Sequence, residues 1–144
     1  MRIVDANVLL YAVNTASEHH RASAGWLDAA LSGADTVGFA WVPLLAFLRL
    51  VTKEGLFPRP LTPEEAMGRV ADWLAAPSAA QVNPTARHAE VLSRMLSCVG
   101  AGANLVNDAH LAALAVEHRA GIVSYDRDFG RFDGVRWDRP DSLQ

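Results

Sequence analysis

The chain has 144 residues, a formal net charge of −3 and 51% apolar residues, which suits one domain over 1–144 with its own core and excludes a disordered chain. The acidic balance excludes a protein that coats nucleic acid by charge, and no apolar run approaches the ~18 residues of a membrane span. The single cysteine, Cys98, excludes an internal disulfide and a cysteine-rich zinc site.

The opening MRIVDANVLL has no basic flank before its apolar run, and Asp5 interrupts it. No signal peptide is expected there, so the expected location is cytoplasmic with no membrane partner. Arg2 to Val4 begins a strand, Asp5 follows at once, and Val8 to Val13 reads as a buried helix. A second helix starts at Ser17-Glu18 and reaches about Leu31, after which Ser32 to Asp35 is a turn. Thr36 to Ala40 is a strand, and Val42 to Val51 a strongly apolar helix stopped by Gly55. Leu56 to Pro63 contains Pro58, Pro60 and Pro63 and forms a loop. Thr62 or Pro63 starts a helix to about Ala76, with Glu64 and Glu65 in its first turn. Gln81 to Asn83 is a third strand, and Thr85 caps a helix to about Val99. Gly100 to Ala103 is a hinge before a helix capped by Asn104 and carrying Asp108. Gly121 ends that helix, Ile122 to Tyr125 is a strand, and Val135 to Trp137 is the last one. Short strands alternating with helices predict a three-layer α/β/α sandwich around a mostly parallel sheet.

In such a sheet the ligand site lies beyond the carboxyl ends of the strands. Asp5 and Asp126 each follow a strand, and Asp108 lies in the first turn of the helix that feeds the second of these strands. One such aspartate alone reads as a helix cap or a loop residue. All three at one edge read as a cluster, and clustered carboxylates stay ionised together only around a cation. Oxygen ligands, with no cysteine pair and no His-x-x-x-His spacing, favour Mg²⁺ or Mn²⁺ over Zn²⁺. Such an ion activates water and neutralises phosphate charge, which is the apparatus of phosphodiester hydrolysis.

The segments IVDANVLLYA, FLRLVT and NDAHLAALAVEHRAGIVSYDRDFGRF followed by VRW resemble, in order and along the whole chain, the PIN-domain ribonucleases, and among them the VapC-type toxins. The resemblance implies a Mg²⁺- or Mn²⁺-dependent endoribonuclease acting on structured RNA such as tRNA or rRNA. It also implies a VapB-type antitoxin that blocks the site, and a toxin homodimer. By position it makes Asp5, Asp108 and Asp126 the metal acids and Asp128 the neighbouring acid of the D-x-D-F motif. Ser124 stands where many members have threonine, and Asn7 is a supporting group. The family glutamate three residues before the middle-helix arginine, here Arg49, is replaced by Ala46. Asp128 or a water is the candidate to compensate. The alternative function is a catalytically weakened PIN-fold protein that acts mainly by binding an antitoxin or another partner.

Arg49, Lys53, Arg127 and Arg131 are candidates to hold RNA phosphates. His19-His20 reads as an exposed helix start, and His110 and His118 lie too far apart to share a ligand. Trp26, Trp41, Trp73 and Trp137 read as core or interface anchors. The apolar excess of the middle helix fits internal burial plus a dimer seam or an antitoxin groove.

Overall fold

The computed structural model describes residues 1–100 and 103–144, so Ala101 and Gly102 of the expected hinge lie outside the described residues. The strands are β1 (Arg2–Val4), β2 (Val37–Phe39), β3 (Ala79–Gln81), β4 (Gly121–Val123) and β5 (Trp137–Asp138). The helices are α1 (Ala6–Val13), α2 (His20–Leu31), α3 (Trp41–Val51), α4 (Pro63–Ala75), α5 (His88–Val99) and α6 (Val106–Glu117). The sheet runs β3-β2-β1-β4-β5, and every neighbouring pair is parallel. Because every pair is parallel, the carboxyl ends of these strands share one edge.

Alternation along the strands divides the core in two. Ile3 and Ile122 face the layer of α5 and α6, where they pack with Val91, Met95 and Ala109 to Ala115. Val4 and Val123 face the layer of α1 to α4, with Trp26, Leu44, Phe47 and Trp73. Because β1 and β4 are buried on both faces, they read as unbroken apolar runs. Gly38 in β2 allows close approach, because a Cβ there would stand 2.8 Å from Val82 Cγ2 and 3.0 Å from Ile3 Cγ1.

The elements follow the predicted order, but several ends differ. The third strand is Ala79–Gln81 rather than 81–83, and the last is Trp137–Asp138 rather than 135–137. Neither Thr85 nor Asn104 caps a helix: the positions before α5 and α6 are Arg87 and Leu105, with no side-chain cap bond. The Thr85 hydroxyl instead donates to Glu117 and accepts from the Arg87 N–H. Ser17 accepts from the His19 N–H, and α2 starts only at His20. The reversal after α6 falls on Arg119, at φ +53°, so Gly121 opens a strand instead of closing a helix. At α4 the expected start is present as a reciprocal cap, Thr62 to Glu65 N–H and Glu65 to Thr62 N–H.

Candidate active site

Three local devices converge at the carboxyl edge of the sheet. Asp5 closes β1 and caps α1: its Oδ1 accepts from the Ala6 N–H at 2.8 Å, which supplies one of the donors a helix start leaves unpaired. Asp126 follows β4 by three residues and caps a short 3-10 turn, Arg127–Arg131, through its Oδ1 and the Asp128 N–H at 2.9 Å. Asp108 lies in the first turn of α6, where the helix dipole favours an acid. Ala109, Ala112, Ala113 and Ala115 of that helix are all buried, and their small side chains let α6 lie close on the sheet.

One oxygen each from Asp108, Asp126 and Asp128 lies within 4.8 Å of the others. Asp5 stands beside this group. Its Oδ2 accepts from the Ser124 hydroxyl at 2.7 Å and from Asn7 Nδ2 at 3.2 Å. Ser124 is fully buried and links two acids, because its oxygen also accepts from the Asp126 N–H at 2.9 Å. Asn7 closes the loop by donating to Ser124 Oγ at 3.0 Å and accepting from the Tyr125 N–H at 3.1 Å. These bonds, from 2.7 to 3.2 Å and centred on the buried Ser124, tie the Asp5 and Asp126 segments together, so the carboxylates are positioned before any ligand arrives.

The electrostatics follow from the crowding. Burial, then the charges of Asp126, Asp5 and Asp128, push the Asp108 carboxyl up to about 7. Burial also raises Asp5, against the lowering effect of its bonds from Ser124 and Ala6, with Asp126 adding to the rise. Near neutral pH the cluster is therefore short of one positive charge, and Asp108 half-holds a proton instead. Three hard carboxylate oxygens at this spacing suit a divalent oxygen-seeking cation.

The other candidates are spread more widely. Arg131 Nη1 lies 3.6 Å from Asp128 Oδ1 and, half exposed, borders the cluster. Arg127 is exposed on the same turn. Arg49 is eight residues along α3, roughly 12 Å from the end that meets this edge, and Lys53 is further still. Ala46 leaves the middle of α3 without a carboxylate.

Two groupings escaped the sequence reading. His19 packs on Tyr125, with ring centroids 4.3 Å apart, and Tyr11 completes the cluster at 5.0 and 5.3 Å. The Arg139 guanidinium lies 4.9 Å from the Tyr125 centroid. Across the α5–α6 contact, His88 bridges Glu117 Oε2 and His110 Nδ1, while Thr85 donates twice to Glu117 Oε1. His118 turns away to the Asn83 carbonyl. Each grouping draws on more than one element: His110 and Glu117 share a face of α6, but His88 and Thr85 reach them from the α5 side, which no local pattern reveals.

A family model described as PIN domain matches residues 2–135. Ribonuclease VapC37 of Mycobacterium tuberculosis is 78% identical over 143 residues, covering 99% of each chain. Among solved structures, VapBC2 from Rickettsia felis, bound to a DNA fragment from their promoter, aligns with a TM-score of 0.69 at 16% identity, over 96% of this chain and 97% of that one. VapC20 of Mycobacterium tuberculosis, described as a sarcin-ricin loop cleaving toxin, aligns with a TM-score of 0.66 at 18% identity, over 94% and 99%. At these identities the two structures speak for the fold.

Proposed function

The chain belongs to the PIN-domain family and to its VapC ribonucleases, and from that premise we propose how this copy works. It is the toxin of a toxin–antitoxin pair, an endoribonuclease whose single domain hydrolyses phosphodiester bonds in structured RNA, tRNA or rRNA. The observation that carries the catalytic part is the convergence of Asp108, Asp126 and Asp128, with Asp5 fixed beside them. Mg²⁺ or Mn²⁺ is the cofactor this donor set suits. A VapB-type antitoxin and a homodimer are the expected protein partners; the antitoxin is suggested by the VapC name of the 78% identical relative.

In this reading Asp108, Asp126 and Asp128 hold the cation, and Asp5 completes the negative field. When bound, such an ion lowers the pKa of a coordinated water and neutralises charge on the phosphate. The protein's own part is positioning. Ser124 ties the Asp5 carboxylate to the Asp126 backbone, so the two strand ends cannot drift apart. Asp126 Oδ1 is engaged by the Asp128 N–H, which orients the carboxylate and fixes where Asp128 can sit. Asp108, raised by its crowded neighbours, would have to lose its proton to serve as a ligand, and its charge would then add to those of Asp126 and Asp128. Arg131 and Arg127 stand where RNA phosphates flanking the cut would pass.

A second reading follows from Ala46, which gives α3 no acid. On that reading the fold serves mainly to bind a protein partner, and cleavage is vestigial. Incubating the purified chain with total tRNA and rRNA separates the two. The nuclease reading expects discrete cuts with Mn²⁺ or Mg²⁺, none with EDTA and none with Asp108→Asn. Metal-independent cuts, or full activity in Asp108→Asn, overturn the site assignment.

A further inference from the structure

Four tryptophans were expected to be core or interface anchors, and one of them is neither buried nor free to move. Trp26 and Trp73 are 6% and 9% exposed, whereas Trp41 is 38% exposed. Trp137 is half-buried and donates its indole N–H to the Ser124 carbonyl at 2.8 Å. Trp41 donates its own indole N–H to Gln81 Oε1 at 3.0 Å, so the ring is held in one plane although its surface meets water.

Its place in the fold gives that surface a meaning. Trp41 opens α3 directly beyond β2, and Gln81 ends β3. Both therefore lie on the carboxyl edge, and β2 is the immediate neighbour of β1, which ends at Asp5. Adjacent strands are about 4.8 Å apart, so the indole, between the ends of β2 and β3, stands two to three strand spacings along the edge from the acids beyond β4, roughly 10–14 Å. A polynucleotide with one phosphate at the acid cluster would pass this position with its neighbouring bases.

The charge balance sharpens the need. With a net charge of −3 and an acidic site, the chain gains little from the coulombic attraction that dominates most nucleic-acid binding. Stacking on an aromatic face supplies affinity without charge and tolerates any base. An interface with another protein is the competing occupant, because Leu45, 57% exposed, lies one turn along α3 from Trp41. The next position of that stripe is the exposed cation Arg49, so the apolar strip is short against the ~800 Å² per partner of a stable interface.

We propose that Trp41, bonded to Gln81, is the stacking platform for a nucleobase a nucleotide or two along the strand from the phosphate held at the acid cluster. This rests on the ribonuclease reading above. The test measures binding in an Asp108→Asn background with Mn²⁺, using a labelled single-stranded oligoribonucleotide of mixed sequence and an abasic counterpart of the same length. Adding Trp41→Ala is expected to weaken the base-bearing probe about 5- to 150-fold and leave the abasic probe unchanged. Trp41→Phe should keep most of the affinity, and light scattering should give all variants the same mass. No loss with Trp41→Ala, an equal loss on both probes, or no binding even before Trp41 is changed overturns the proposal. A fall in assembly mass also overturns it and assigns Trp41 to a protein interface. If the wild-type chain leaves RNA uncut in Mn²⁺ while the base-dependent loss persists, the nuclease reading fails and the platform stands.

Discussion

Glu117→Ala should destabilise the protein far more than its place at the end of a surface helix suggests. The carboxylate side chain is 1% exposed. It accepts from Thr85 N at 3.0 Å, from the Thr85 hydroxyl at 2.6 Å and from His88 Nδ1 at 2.5 Å. A hydrogen bond to a charged group contributes about 1.5–3 kcal/mol net when both partners are sheltered. Thr85 is exposed and can turn to water, so its two bonds count for little in the difference. His88, with its side chain 14% exposed, loses a partner it cannot easily replace, and the truncation leaves a small void between α5 and α6. Together these give about 2–4 kcal/mol, a fall in Tm of roughly 5–15 °C for a chain of this size. Urea and thermal unfolding at pH 7 measure it. Burial alone would raise the Glu117 carboxyl, but the bonds from Thr85 and His88 outweigh it and hold it below its ordinary 4.5. A depressed acid stabilises the fold above its unfolded value and loses that contribution as pH falls through the folded one. The gap between wild type and Glu117→Gln should therefore be full at pH 7 and shrink as pH falls below the ordinary 4.5 and through the lower folded value. A loss under about 1 kcal/mol for Glu117→Ala, or a Glu117→Gln gap that does not change with pH, would refute the reasoning.

The acid cluster carries three further predictions. Asp108 is raised to about 7, so its ionisation opposes folding increasingly from its ordinary 3.8 up to that value. In EDTA, Asp108→Asn should accordingly raise Tm at pH 8 and change it little at pH 4, and with Mn²⁺ added it should abolish cleavage; an unchanged Tm at pH 8 would show that the carboxylates do not strain the free protein. Because an ion must displace that proton, Mn²⁺ affinity by calorimetry should rise about tenfold per pH unit up to roughly pH 7 and then level off, with proton release below it; a flat profile counts against Asp108 as a ligand. Ser124→Ala removes the hydroxyl between Asp5 Oδ2 and the Asp126 N–H, so cleavage should fall about 10- to 100-fold and stability by about 1–3 kcal/mol. Ser124→Thr keeps the hydroxyl and should recover most of both; equal loss in the two variants would mean that packing, not the bond, is what matters.

Much of this fold is legible in the sequence because its strong signals are periodic or chemical. β1 and β4 announce themselves as short β-branched runs, and Thr62 with Glu65 announces α4. The misread ends share a physical cause. At α5 and α6 the chain enters the helix through Thr85 to Arg87 and through a 3-10 turn, Ala103–Leu105, without a capping side chain; Thr85 serves Glu117 instead, and Asn104 is taken into the 3-10 turn. Arg119 takes the left-handed turn expected of Gly121, at a cost the flanking bonds from Ala120 to Ala115 and from His118 to Leu114 offset. Partners that depend on tertiary packing, such as His19 on Tyr125 or His88 between Glu117 and His110, leave no trace in spacing at all.

For a single aspartate, a capping role and a site role look like rival readings, and the geometry shows why they need not be. A carboxylate has two oxygens. Asp5 gives Oδ1 to the start of α1 and keeps Oδ2 for the lattice that leads to Asp126. Asp126 gives Oδ1 to the turn that carries Asp128 and still belongs to the three-acid group. The cap fixes the backbone at the strand end, and the fixed backbone aims the other half of the carboxyl group. Capping strength and site geometry should then be lost together when either acid is changed to alanine. Asparagine at position 126 keeps a cap oxygen and should cost the fold little, yet it removes the charge that makes the cluster a site; at position 5 it also sets an amide N–H₂ against Asn7 Nδ2, so it should cost the fold more there. The contrast between the alanine and asparagine variants of Asp126, read as Tm against Mn²⁺ affinity, separates the two roles: alanine should lower both, and asparagine only the affinity. Equal Tm losses for the two would mean that the cap bonds contribute nothing measurable and that the acids are there for the site alone.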